Sequence, residues 1–162
     1  MAWKFLIDSG VVSYPLDLVQ VIRNNGWEVK SYQKLGIAPP QASEVIFTRS
    51  NIIILFDERI QRRQLRFYIA HEIGHIVLKH YNFEDYKIYE RETKMFARRV
   101  LMPITLIHNL GLHTVKQIVE KCDVTYSEAE WRLNRYFETL KQRNKFDTHP
   151  LEMQLKRQLG LK

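Results

Sequence analysis

Residues 71–80 read HEIGHIVLKH, three histidines and a glutamate set among Ile, Val and Leu. Burying ionisable groups in such surroundings costs on the order of several kcal/mol unless they are paired, hydrogen-bonded or bound to a metal. From Gln61 to Lys79 the apolar residues Leu65, Ile69, Ile73, Ile76 and Val77 recur three or four apart, which predicts one amphipathic helix. Arg62, Arg63 and Arg66 lie toward its start, where cations oppose the helix dipole and call for solvent or acidic partners. On that helix His71 and His75 share a face, with Glu72 about 100° around the axis beside them. This H-E-x-x-H spacing suits two zinc ligands and an adjacent base. Two neutral imidazoles and one further protein ligand leave a fourth position on Zn²⁺ for water, and Glu72 can take that water's proton as it attacks a carbonyl. The competing structural reading is two histidines satisfied by hydrogen bonds on a half-buried face. Gly74, between the histidines, costs about 1 kcal/mol relative to Ala in a helix interior, so another element is expected to approach closely there.

Working outward, SYPLDLVQVIRNNG places Leu16, Leu18, Val19 and Ile22 at helical spacing, with Ser13 and Pro15 as its opening and Gly26 as its end. A short strand is expected over 27–31. After a loop marked by Pro39 and Pro40, the runs EVIFTR and NIIILFD predict a β-hairpin turning near Ser50 and Asn51. Together these suggest a small antiparallel sheet against the following helix. A further helix is expected from about Glu90 to Leu101, stopping before Pro103. Beyond it, one helix opened by Thr114 and a second capped by Ser127, with Glu130 three residues on, form a helix-turn-helix-like pair. A terminal helix after Pro150 places Leu151, Leu155 and Leu159 on one seam, for packing or for docking on a partner.

The third ligand must come from elsewhere. The run H-x-x-G-x-x-H of the metzincins is excluded, because positions 78 and 81 are Leu78 and Tyr81. His80, extrapolated along the helix, falls some 140° from the metal-facing side. In YERETKMFARRVLMP, counting back one turn from Phe96 puts Glu92 on the inward side, with Glu90 as the second choice. His80, Tyr81 and Tyr86 are candidates for stabilising the transition-state oxyanion.

The chain has 162 residues, 45% of them hydrophobic, and a single cysteine, Cys122, so an internal disulfide framework is excluded. It has neither a secretory leader pattern nor an apolar run long enough to span a bilayer, and is expected in the cytoplasm without membrane association. The net charge of +7 is concentrated in residues 131–162, where eight Lys or Arg face Glu138, Asp147 and Glu152. A basic tail after a helix-turn-helix-like pair raises nucleic acid as a partner. Against that, Glu128, Glu130 and Trp131 near the start of the prospective recognition helix would meet phosphates poorly.

RFYIAHEIGHIVLKH followed by ERETKMFARRVLMP resembles the ImmA/IrrE family of zinc-dependent peptidases, and the likeness runs over about residues 13–140. The resemblance implies an α+β fold: a mainly helical zincin-like core over residues 1–105, with the small sheet packed on the HExxH helix, and a C-terminal helical segment over 106–162 packed on it. It implies Zn²⁺ held by His71, His75 and Glu92, Glu72 as general base, and cleavage of a helix-turn-helix transcriptional repressor of a prophage, mobile element or stress regulon. Where the family carries Ala and then Asn or Asp after the ligand glutamate, this chain has Thr93 and Lys94, and Lys94 cannot accept a hydrogen bond to orient a ligand. Two other functions stay open: a repressor-binding or DNA-binding regulator with a structural metal, and a toxin–antitoxin component using the same chemistry. The strand NIIILFD is expected to take up substrate by strand addition at the sheet edge.

Overall fold

The computed structural model describes residues 1–80, 86–142 and 149–162. In chain order the elements are α1 (Ala2–Asp8), α2 (Leu18–Asn24), β1 (Glu28–Ser31), a 3₁₀ turn (Gln33–Leu35), β2 (Ser43–Phe47), β3 (Ile52–Phe56), α3 (Arg62–Leu78), α4 (Tyr86–Leu101), α5 (Ile104–Asn109), α6 (Val115–Cys122), α7 (Tyr126–Gln142) and α8 (Pro150–Gln158). The class is α+β, as expected. The chain divides into two compact units, residues 17–97 and residues 1–16 with 98–162.

In the 17–97 unit, α2 begins later than its apolar spacing suggests. Asp17, not Ser13 or Pro15, is the cap, its carboxylate accepting from the Gln20 amide at 2.9 Å. The hairpin forms as expected, with Ser43 opposite Phe56 and Phe47 opposite Ile52. The sheet is mixed rather than wholly antiparallel, because β1 pairs in parallel with β3 from Glu28↔Ile53 to Ser31↔Phe56. The resulting order, β1-β3-β2, makes β3 the central strand. NIIILFD therefore has both edges occupied and cannot receive a substrate strand; β2 holds the edge. Ile54 and Leu55 of β3 are buried with Ile69, Ala70, Ile73 and Ile76 of α3, which packs on the sheet. The β3–α3 connection is pinned by Asp57, which accepts from Gln33 at 2.6 Å and takes a forked pair of hydrogen bonds from Arg59. The Gln61 side chain then caps α3, accepting from the Gln64 amide at 3.1 Å. Lys79 ends α3 in the left-handed conformation, φ 59°.

In the other unit, α1 packs on α8, and the Gln158 amide donates to the Val11 carbonyl at 2.7 Å. Leu155 is fully buried, so the terminal helix does pack. The helices α1 and α5 carry no sequence expectation; each spans two turns or fewer, too short for periodicity to register. The α6–α7 pair is present, and Thr114 closes a reciprocal capping box with Gln117. At α7 the cap is Thr125, not Ser127: its hydroxyl accepts from the Glu128 amide at 3.4 Å, and Ser127 lies within the first turn. No described helix is long and apolar enough to cross a membrane.

Candidate metal centre

On α3, His71 and His75 stand one turn apart and turn their Nε2 atoms toward each other, 3.1 Å apart. The glutamate that meets them is Glu90 on α4, with Oε1 at 3.3 Å from His71 Nε2 and 3.4 Å from His75 Nε2. Donors 2.0–2.1 Å from a tetrahedral ion lie about 3.3–3.4 Å from one another, so this triangle has the size and donor chemistry of a zinc site with three protein ligands. Among the described residues it is the one such group of metal-binding side chains.

Glu92, the carboxylate favoured from sequence, goes elsewhere: its Oε2 lies 3.1 Å from His80 Nε2. Its side chain is 50% exposed, against 22% for Glu90. The reason is where α4 touches α3. Thr93, fully buried, marks the contact: a Cβ built on Gly74 would lie 3.2 Å from both Thr93 Cα and Thr93 Cβ, and 3.3 Å from Phe96 Cδ1. At 100° per residue, Glu90 is about 60° from Thr93 on the open side, whereas Glu92 is about 100° away, beyond Phe96. Taking Phe96 as the centre of the seam displaces the inward face by one carboxylate. Gly74 thus has the expected role of letting a second helix close on the site.

The remaining groups of the opening stretch are also compensated. Glu72 is buried, and its Oε1 accepts from the Ser43 hydroxyl at 2.8 Å. Burial pushes Glu72 up to about 7; Ser43 pulls the other way, and Glu90 and Glu44 add to the rise. Burial lowers His71, and lowers His75 to about 4 with help from its neighbour His71, so both rings are neutral at neutral pH. His80 does not continue the helix. After the left-handed Lys79 its amide returns to the His75 carbonyl at 3.1 Å, and its ring stacks on Tyr89 at 4.2 Å and lies edge-on to His75 at 5.5 Å. Tyr81 lies outside the described residues. Tyr86 is exposed at the first position of α4, one turn ahead of Glu90.

Thr93 and Lys94 both engage the cluster. Thr93 Oγ1 lies 3.3 Å from His71 Nε2 and donates into the carbonyls of Tyr89 and Glu90, while Lys94 Nζ stands 3.9 Å from Glu90 Oε2. Ser43 carries no sequence signal, being a lone serine at a strand start; only the placement of β2 over α3 brings it to Glu72.

The family model of Peptidase M78, described as the IrrE N-terminal-like domain, matches residues 34–143. The chain belongs to this family. The matched span holds β2, β3 and α3 to α7, and with them Ser43, His71, Glu72, His75 and Glu90 of this M78 peptidase domain. No curated protein matches the chain.

Proposed function

We propose that this chain is a zinc-dependent endopeptidase in which His71, His75 and Glu90 hold the ion and Glu72 is the general base. The observation that carries the reading is the convergence of three donor atoms within 3.4 Å of one another, on helices that bring Glu72 alongside. A bound zinc supplies the Lewis acidity that polarises a scissile carbonyl and acidifies a water. The chain's own residues do the rest. Neutral His71 and His75 offer lone pairs without first losing protons, and Glu90 supplies negative charge that balances the cation. Glu72 accepts the proton of the attacking water on its carboxylate and passes it to the departing amine. His80, edge-on to His75, and Tyr86, exposed on the same helix as Glu90, are the described candidates for donating to the developing oxyanion.

Substrate backbone pairs with the edge strand β2, whose first residue already reaches Glu72. The protein substrate is a helix-turn-helix repressor, a choice that rests on the family resemblance and sets the reaction in the cytoplasm. The engagement of Glu128 with Arg98 at 2.6 Å, and of the Arg98 guanidinium with the Trp131 ring at 4.2 Å, supports α7 as a packing helix over a DNA-reading one.

The test is elemental analysis of the purified protein beside His75→Ala and Glu72→Gln, followed by incubation with the repressor encoded next to its gene. The wild type is expected to carry about one zinc per chain and to cut. His75→Ala loses both properties, and Glu72→Gln keeps the metal without cutting. Undiminished relief of repression by Glu72→Gln would establish the alternative, a non-catalytic repressor-binding protein with a structural metal.

A further inference from the structure

Glu72 projects from α3, but the hydroxyl that holds its carboxylate belongs to a different element, β2. In the β2–β3 ladder the Ala42 carbonyl accepts from Asp57 and the Thr48 amide donates to the Asn51 carbonyl, so even-numbered residues of β2 turn their backbone groups toward β3. In an antiparallel pair these alternate with residues whose backbone groups face away from the partner strand. Val45 is one of the latter, and its backbone lies near enough to Glu72 to help hold the carboxyl's titration down. Two residues earlier the Ser43 hydroxyl donates to Oε1 at 2.8 Å, with Ser43 and Glu72 both buried. A glutamate on a helix has three side-chain torsions. A carboxylate without a partner turns freely about the last of these; a buried hydroxyl donated to one oxygen from a strand removes much of that freedom.

We propose that Ser43 is a positioning residue for Glu72, holding its carboxylate in one orientation at the edge of β2 so that the proton-accepting oxygen faces the water rather than the sheet. This rests on the reading of Glu72 as general base. Misplacement of a reacting group by about 1 Å can cost about 10²-fold in rate. The alternative, that Ser43 only fills space beneath the sheet, predicts no selective effect on turnover.

Three measurements on the full-length zinc-loaded protein separate these. Cleavage of the neighbouring repressor gives kcat and KM for wild type, Ser43→Ala and Ser43→Thr; competition with a chromophoric chelator gives zinc affinity; and thermal unfolding of Ser43→Ala, Glu72→Gln and the double variant gives their coupling. Positioning predicts a fall in kcat of about 10- to 100-fold in Ser43→Ala, with KM and zinc affinity within about twofold of wild type. Ser43→Thr, which keeps the hydroxyl, recovers most of the loss, and the melting shifts of the two single variants are not additive. Unchanged kcat in Ser43→Ala, additive melting shifts, or zinc loss in step with kcat would each overturn the assignment. Failure of the peptidase reading looks different: the wild type itself is inert, while the melting shifts of Ser43→Ala and Glu72→Gln remain coupled.

Discussion

Glu90 and Glu92 stand two residues apart on α4 and have the same side chain, so the 40° between their angular distances from Thr93 decides which reaches the histidines. Glu90→Gln is accordingly expected to weaken zinc binding at least 10-fold by chelator competition, whereas Glu92→Gln, which touches His80, shifts it less than threefold. Equal losses in the two variants would remove the distinction. Composition and spacing made His71, Glu72 and His75 legible because i and i+4 share a face on any helix. The proposed third ligand was not legible to the same degree, because it depends on which residue of α4 meets Gly74, a fact about two helices rather than one. Glu72 also yields a pH prediction for metal-free protein. Its carboxyl titrates near 7 in the folded chain against an ordinary 4.5, so the folded state binds the proton more tightly. Stability from this group is intact below pH 4.5, falls as pH rises toward 7, and is lost above. The lowered His71 and His75 act with opposite sign over an overlapping range, so the raw curve mixes the two. The difference between Glu72→Gln and wild type isolates the carboxyl. By chemical denaturation in chelator the variant is expected to be about 1–3 kcal/mol more stable at pH 8 and equal to wild type near pH 4. Equal stability at both pH values would contradict the burial argument.

At the scale of elements, the contact of α3 with α4 sets the spacing of the His71, His75 and Glu90 donors. An added methyl at Gly74 meets backbone and side chain of Thr93 at 3.2 Å, and a backbone cannot swing aside as a long side chain can. Ala has the better intrinsic helix propensity by about 1 kcal/mol, so on α3 alone Gly74→Ala would be stabilising. The expected outcome is the reverse of propensity: α4 is pushed outward, Glu90 retreats from the two imidazoles, and zinc affinity falls about 10-fold or more while far-ultraviolet circular dichroism stays helical. Unchanged affinity would mean that Thr93 has room to yield. Elements long enough to show a period, α3, α4 and α7, could be read from the chain. Helix starts were less legible where a neighbouring polar residue competed, as at Thr125 against Ser127 for α7 and Asp17 against Ser13 for α2. The strand order was beyond local pattern: β1 joins β3 in parallel through long-range pairing, and alternation along NIIILFD does not tell a central strand from an edge one.

At the scale of the whole molecule, the first 16 residues belong with the carboxy-terminal helices although some 80 residues separate them along the chain. Phe5 and Leu6 of α1 are buried in the unit that also buries Leu155 of α8, and the Gln158 side chain bonds the Leu6 and Val11 carbonyls. Every candidate site residue discussed for catalysis or metal binding, from Ser43 to Glu92, lies in the other unit, residues 17–97. Stability and metal binding are thus expected to respond to different substitutions. Leu155→Ala removes a fully buried side chain from a packed helix, and such truncations cost about 2–5 kcal/mol. Denaturant unfolding of the zinc-loaded variant should show a loss in that range, while chelator competition below the unfolding transition shows zinc affinity within twofold of wild type. A loss of affinity matching that of Glu90→Gln would mean that the helices of the 1–16 and 98–162 unit hold the ligand geometry as well as their own core, and that α4, which runs from one unit into the other, carries the effect.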